Sequence, residues 1–230
     1  MIIRPILALL SLSGVLVATS AAASVISWTQ WTGDNGTNTA TGNLMVGATS
    51  VNVTASGNAN YGFVQTTSGT DYWLPDAPYL SSTVSNAPTG PGIVALNSAV
   101  TETITFSQAI EDPLIALVSW NGANVTFPDL TAGQYIDYLS SGCGYWGCGT
   151  YGSPTSDSFT GVGELHGVIE LVGDYTSITF TDTVDEYWHG FTVGVVGLAS
   201  PGPGPTVPEP GSLMLVGLGL SALAFAKRKR

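Results

Sequence analysis

Between residues 24 and 200 the chain offers short β-type runs broken by turn residues, and no stretch holds a helical apolar period. That restricts the fold to strands. Val51 and Val53 alternate with Asn52 and Thr54, the period of two that a half-buried strand requires. Residues 101–106 and 175–181 alternate likewise. Residues 113–120 are nearly all apolar, which fits a strand buried on both faces. Asn121-Gly122 then predicts a type I′ hairpin, with 123–127 as the returning strand. Further strands are predicted over 41–46, 50–55, 61–66, 135–139, 164–172 and 189–196. Residues 66–100 carry Pro75, Pro78, Pro88 and Pro91 and read as a long surface loop. About ten or eleven short strands without a helix predict an all-β fold, a β-sandwich of jelly-roll type. The span is long enough to bury one core unaided.

The ends set this domain apart. Residues 1–23 have the form of a secretory signal peptide: Arg4, an apolar stretch over 6–17, and Ala21-x-Ala23 as the cleavage site before Ser24. This makes signal peptidase a processing partner. Residues 201–207 form a Pro/Gly linker, extended and semi-rigid. Residues 208–230 hold Pro208-Glu209-Pro210, an apolar stretch over 211–226 and Lys227-Arg228-Lys229-Arg230. An apolar span beside Lys and Arg belongs in a membrane with its basic end in the cytoplasm. Sixteen apolar-stretch residues fall short of the about twenty that a bilayer core needs. The expected helix is therefore a temporary transmembrane anchor.

The tail resembles the PEP-CTERM sorting signal of Gram-negative bacteria, in which a short Pro-Glu-Pro motif, an apolar span and a basic end follow one another at the C-terminus. The resemblance implies recognition by an exosortase, a membrane cysteine protease-transpeptidase, through Pro208, Glu209 and Pro210. It also implies delivery of the exported part to the cell surface or an extracellular polymeric matrix. Residues 186–194, Glu-Tyr-Trp-His-Gly-Phe-Thr-Val-Gly, and the Gly144-Tyr145-Trp146-Gly147 segment resemble a region found in some PEP-CTERM proteins. No residue role follows from that second likeness.

Charge narrows the partners. No Lys or Arg lies between Ser24 and Pro208, and that span holds fifteen of the sixteen acidic residues, a formal charge of −15 with His neutral. Such a surface repels nucleic acid. Cys143 and Cys148 are the only cysteines, and in an exported chain this close pair predicts one disulfide. A zinc-ribbon site would need two more ligands at matching spacing, so no metal site is predicted. No cofactor motif is present either.

Catalytic patterns are sparse. No Gly-x-Ser-x-Gly elbow occurs. His166 and His189 are the only histidines. Glu111-Asp112 and Asp185-Glu186 read as solvated loop charges, because neighbours on a strand point to opposite faces. Glu164 and Glu170 would serve a glycosidase only if the fold paired them. Asn35, Asn52 and Asn124 open glycosylation-type triplets.

Tyr-Trp occurs three times: Tyr72-Trp73, Tyr145-Trp146 and Tyr187-Trp188, each beside Gly, Pro or acidic residues. Exposed, these flat faces suit stacking on sugar rings; buried, they plug the ends of a sandwich. The leading expectation is an exosortase-sorted, non-enzymatic exported protein of the cell surface or polysaccharide matrix. The alternative is a carbohydrate-binding module using the Tyr-Trp pairs, with exopolysaccharide as partner. A secreted glycosidase is the third.

Overall fold

The computed structural model describes residues 23–199. The expected signal peptide, the linker from residue 201 onward, the sorting tail and its membrane helix lie outside them. Among the described residues no helix is long and apolar enough to cross a membrane. The strands begin with β1 (Ser27–Trp28), β2 (Gln30–Asp34), β3 (Thr39–Val46), β4 (Thr49–Gly57), β5 (Phe63–Gln65) and β6 (Ile93–Leu96). Next come β7 (Val100–Glu111), β8 (Leu114–Val118), β9 (Asn124–Thr126), β10 (Tyr135–Gly142) and β11 (Gly149–Gly152). Last are β12 (Ser158–Gly163), β13 (His166–Val172), β14 (Asp174–Asp182), β15 (His189–Val195) and β16 (Gly197–Leu198). The only helical turn described is a 3-10 turn, Ala77–Tyr79.

These strands make two antiparallel sheets. The first runs β10-β13-β8-β15-β6-β5, with β1 added on β15. The second runs β11-β12-β9-β14-β7-β4-β3-β2, with β16 on β7. From β6 onward the pairing is nested: β6 with β15, β7 with β14, β8 with β13, β9 with β12. Successive nested pairs fall in alternate sheets. The chain is thus doubled back along its length and rolled over a single core. Leu44, Val53, Ile104 and Phe180 from the second sheet meet Leu96, Leu117, Ile169 and Phe191 from the first in that core.

A second apolar cluster explains why β8 is apolar throughout. In β8, Ile115 and Leu117 point into the main core. Leu114, Ala116 and Val118 point the other way, against Trp73, Tyr79 and Val84. The segment before β6 therefore covers the outer face of the first sheet. β8 is buried on both faces, as its composition predicts.

Three expectations need correction. The 66–100 segment is not all surface loop: Ile93-Val94-Ala95-Leu96 is a fully buried strand. Its short apolar run follows Pro91-Gly92, and those turn residues mask the signal. Strands β11 and β12 also lie where none is predicted. Asn121-Gly122 does not close a hairpin, because β8 pairs with β13 and β15 while β9 pairs with β12 and β14. Gly122 does take positive φ, 73°, but the turn carries the chain from one sheet to the other.

Candidate functional site

Five aromatic side chains from distant parts of the chain meet on one surface. Tyr72 comes from the covering segment and Phe63 from β5. Tyr145 and Trp146 sit between β10 and β11, and Trp188 directly precedes β15. The Tyr72 ring centroid lies 5.1 Å from Tyr145, 4.8 Å from Trp188, and 6.4 Å from Trp146 with planes 26° apart. Phe63 closes the group at 6.3 Å from both Tyr72 and Trp188. Trp146 is 53% exposed, and Tyr145 and Phe63 are also exposed.

Local structure holds these rings in place. The predicted disulfide joins Cys143 and Cys148. Inside it the Gly144 N–H donates to the Gly147 carbonyl at 2.8 Å, so Tyr145 and Trp146 ride on a closed turn. Gly144 lets that turn press onto β13: a Cβ there would sit 2.4 Å from the His166 ring. Tyr72 is anchored by its neighbour. Trp73 is 1% exposed, its indole N–H donates to the Gly92 carbonyl at 3.2 Å, and it meets Tyr79 edge-on at 5.3 Å. Of the six residues in the Tyr-Trp pairs, Tyr72, Tyr145, Trp146 and Trp188 thus come together. Trp73 belongs to the core. Tyr187 is 95% exposed and stands outside this group of ring contacts. The three pairs thus divide between exposed surface and core.

Beside the rings an open groove of about 440 Å³ is lined by Trp146, Trp188, Glu164, Asp185, Glu186 and Asn121, among others. Its carboxylates are fixed in position. Glu164 accepts from the Ser119 hydroxyl and, at 3.1 Å, from Asn121 Nδ2. Glu186 Oε1 accepts from the Asn121 N–H at 2.8 Å. Asp185 Oδ1 accepts from the Ala99 N–H at 2.9 Å. Asp185 and Glu186 lie in a loop, so the alternation of a strand does not separate them, and Glu186 is not a freely solvated charge. Burial, with Glu164 and Asp182 nearby, pushes its carboxyl up to about 8.

Below the groove, His189 lies between two acids. Its Nδ1 is 3.5 Å from Glu186 Oε2 and its Nε2 is 3.8 Å from Asp182 Oδ2. Burial holds this imidazole down at about 4. At neutral pH the ring is uncharged and Glu186 carries its proton. His166 is also fully buried, with Nδ1 3.2 Å from the Tyr79 hydroxyl. Neither imidazole reaches the surface to activate a nucleophile.

Glu164 and Glu170 are not brought together. Glu170 lines a separate cavity of about 310 Å³ with Glu111 and Asp112. Burial, with Asp112 and Asp137, raises it to about 6. Among the described residues no group of three or more His, Cys, Asp or Glu is placed to hold a metal ion. The arrangement offers π faces for stacking and oriented acceptors for hydroxyl or ammonium donors.

Residues 206–230 match a protein family. The chain carries a PEP-CTERM protein-sorting motif. The motif implies an exported protein whose precursor is anchored at its C-terminus and processed by an exosortase. No curated relative and no solved structure matches the chain. The two-sheet domain must therefore be read from its own geometry.

Proposed function

We propose that this is an exported, non-enzymatic saccharide-binding protein, sorted by its tail to the cell surface or polysaccharide matrix. The observation behind the binding role is the convergence of Phe63, Tyr72, Tyr145, Trp146 and Trp188 beside a carboxylate groove. Rings drawn from four separate segments expose flat area at one place, next to acceptors already held in position. A sugar presents that pattern in complement, with C–H faces for the rings and hydroxyl donors for the carboxylates. We read the nested strand pairing as a jelly-roll β-sandwich occupying 24–200, freed by signal peptidase at Ser24 and joined to the tail by the 201–207 linker.

Binding of the full chain to an oligosaccharide array, in a polyoxyethylene detergent that itself carries no sugar, tests this reading. The chain is expected to bind, and joint substitution of Trp146→Ala and Trp188→Ala is expected to abolish binding while near-UV circular dichroism still shows a packed core. Binding unaffected by that pair would overturn the reading.

A further inference from the structure

We infer that the groove takes a saccharide bearing free amino groups, a hexosamine oligomer that is not acetylated; this rests on the saccharide reading above. The charge in the site is all negative, and its carboxylates hold the nearest polar side chains. Ser119 Oγ and one hydrogen of Asn121 Nδ2 are spent on Glu164, and the Asn121 N–H is spent on Glu186. Trp146 and Trp188 add ring faces, which attract cations as the carboxylates do. A uronate would meet the Glu164 and Asp185 carboxylates, charges of its own sign, and an acetamido group would bring no charge to pair with them.

Among the described residues the protein supplies no cation of its own. No Lys or Arg occurs between Ser24 and Pro208, and both histidines are fully buried. The Glu164 and Asp185 carboxylates therefore face one groove, beside the protonated Glu186, without a positive partner. Glu186 Oε2 is buried and turned to His189 Nδ1, 3.5 Å away, so Glu164 and Asp185 are the carboxylates that a ligand meets. An ammonium group relieves the repulsion and donates to several carboxylate oxygens at once, whereas a hydroxyl donates once. The rings set the pyranose in place, and the carboxylates select its amine.

The test compares a glucosamine trimer, an N-acetylglucosamine trimer and spermine by titration calorimetry against the full chain in the same sugar-free detergent. The pH is chosen so that the amines are charged. The glucosamine trimer should bind at least about tenfold more tightly than its acetylated counterpart, about the gain from one additional fixed ion pair. Glu164→Gln with Asp185→Asn should bring the two trimers level, and Trp146→Ala should weaken both. Equal affinity of the trimers for the wild-type chain would overturn the amine preference and leave the saccharide reading standing. Spermine binding as tight as the glucosamine trimer, with no effect of Trp146→Ala, would reduce the site to a general acidic field and overturn the inference. No binding of either trimer would sink both readings.

Discussion

Trp146 and Trp188 stand with ring centroids 6.0 Å apart and planes at 67°. One rides on a disulfide-closed turn and the other opens the last long strand of the first sheet. Their separation is fixed on both sides. The Cys143–Cys148 bond constrains the first. The second is followed at once by fully buried β15, which pairs with β6 and β8. A platform assembled this way costs little conformational entropy when a ligand settles on it, because its side chains are already ordered.

The Tyr-Trp dipeptides should separate sharply in stability. Trp73→Ala removes a fully buried indole and its bond to Gly92, and should cost about 3–5 kcal/mol. Trp146→Ala removes a half-exposed ring and should cost no more than about 1 kcal/mol. Equilibrium urea unfolding of the two variants measures the difference. Similar costs would mean that Trp146 is as structural as Trp73.

Replacing Cys143 and Cys148 with Ser should lower stability by about 2 kcal/mol, the value expected for so small a closed loop. Its larger effect should fall on the platform. Tyr145 and Trp146 lose their fixed turn, so near-UV circular dichroism should weaken and saccharide affinity fall. Affinity unchanged in the double Ser variant would show that packing of Gly144 on His166 suffices to hold the turn.

Glu102 gives stability a pH dependence of known sign. It is fully buried on β7 with the Tyr61 hydroxyl donating to Oε1 at 2.5 Å, while Oε2 has no partner. Burial raises its carboxyl from 4.5 to about 8. A folded pKa above the unfolded one means that the stabilisation is complete below pH 4.5 and is lost as pH climbs through 8. Glu102→Gln keeps the acceptor for Tyr61 and cannot ionise. Relative to it, the wild type should lose on the order of a few kcal/mol between those limits. Melting temperatures of both proteins across that range provide the measurement, and parallel curves would refute the assignment.

The sequence conveys the class of fold better than the site. Alternation at Val51 and Val53 and the apolar run of β8 mark strands directly, because burial on one or two faces leaves its imprint on local composition. Ile93–Leu96 is as buried as β8, yet its four residues follow Pro91-Gly92 and carry too short a pattern. Asn121-Gly122 has the chemistry of a hairpin turn, but each neighbouring strand finds its partners in a different sheet, a choice made by long-range packing. The same limit applies to the site. Tyr72, Tyr145, Trp146 and Trp188 stand out as repeated dipeptides. That Trp73 turns inward, and that Phe63 and Glu164 join the surface, depends on which loops the nested pairing brings to one place.

The tail gives a prediction independent of the domain. Pro208, Glu209 and Pro210 lie within the matched sorting motif, next to an apolar stretch that is short for a permanent anchor and ahead of four basic residues. If an exosortase reads the motif, the mature wild-type protein should lack residues 227–230 and leave the inner membrane. Alanine at positions 208, 209 and 210 leaves the apolar stretch and basic end intact, so insertion should proceed and processing stop. Intact-mass spectrometry should then find the C-terminal Lys-Arg-Lys-Arg retained, and fractionation should find the protein in the membrane. The same spectrum fixes the mature N-terminus, expected at Ser24. A triple variant processed like the wild type would show that the apolar stretch, and not Pro-Glu-Pro, directs cleavage.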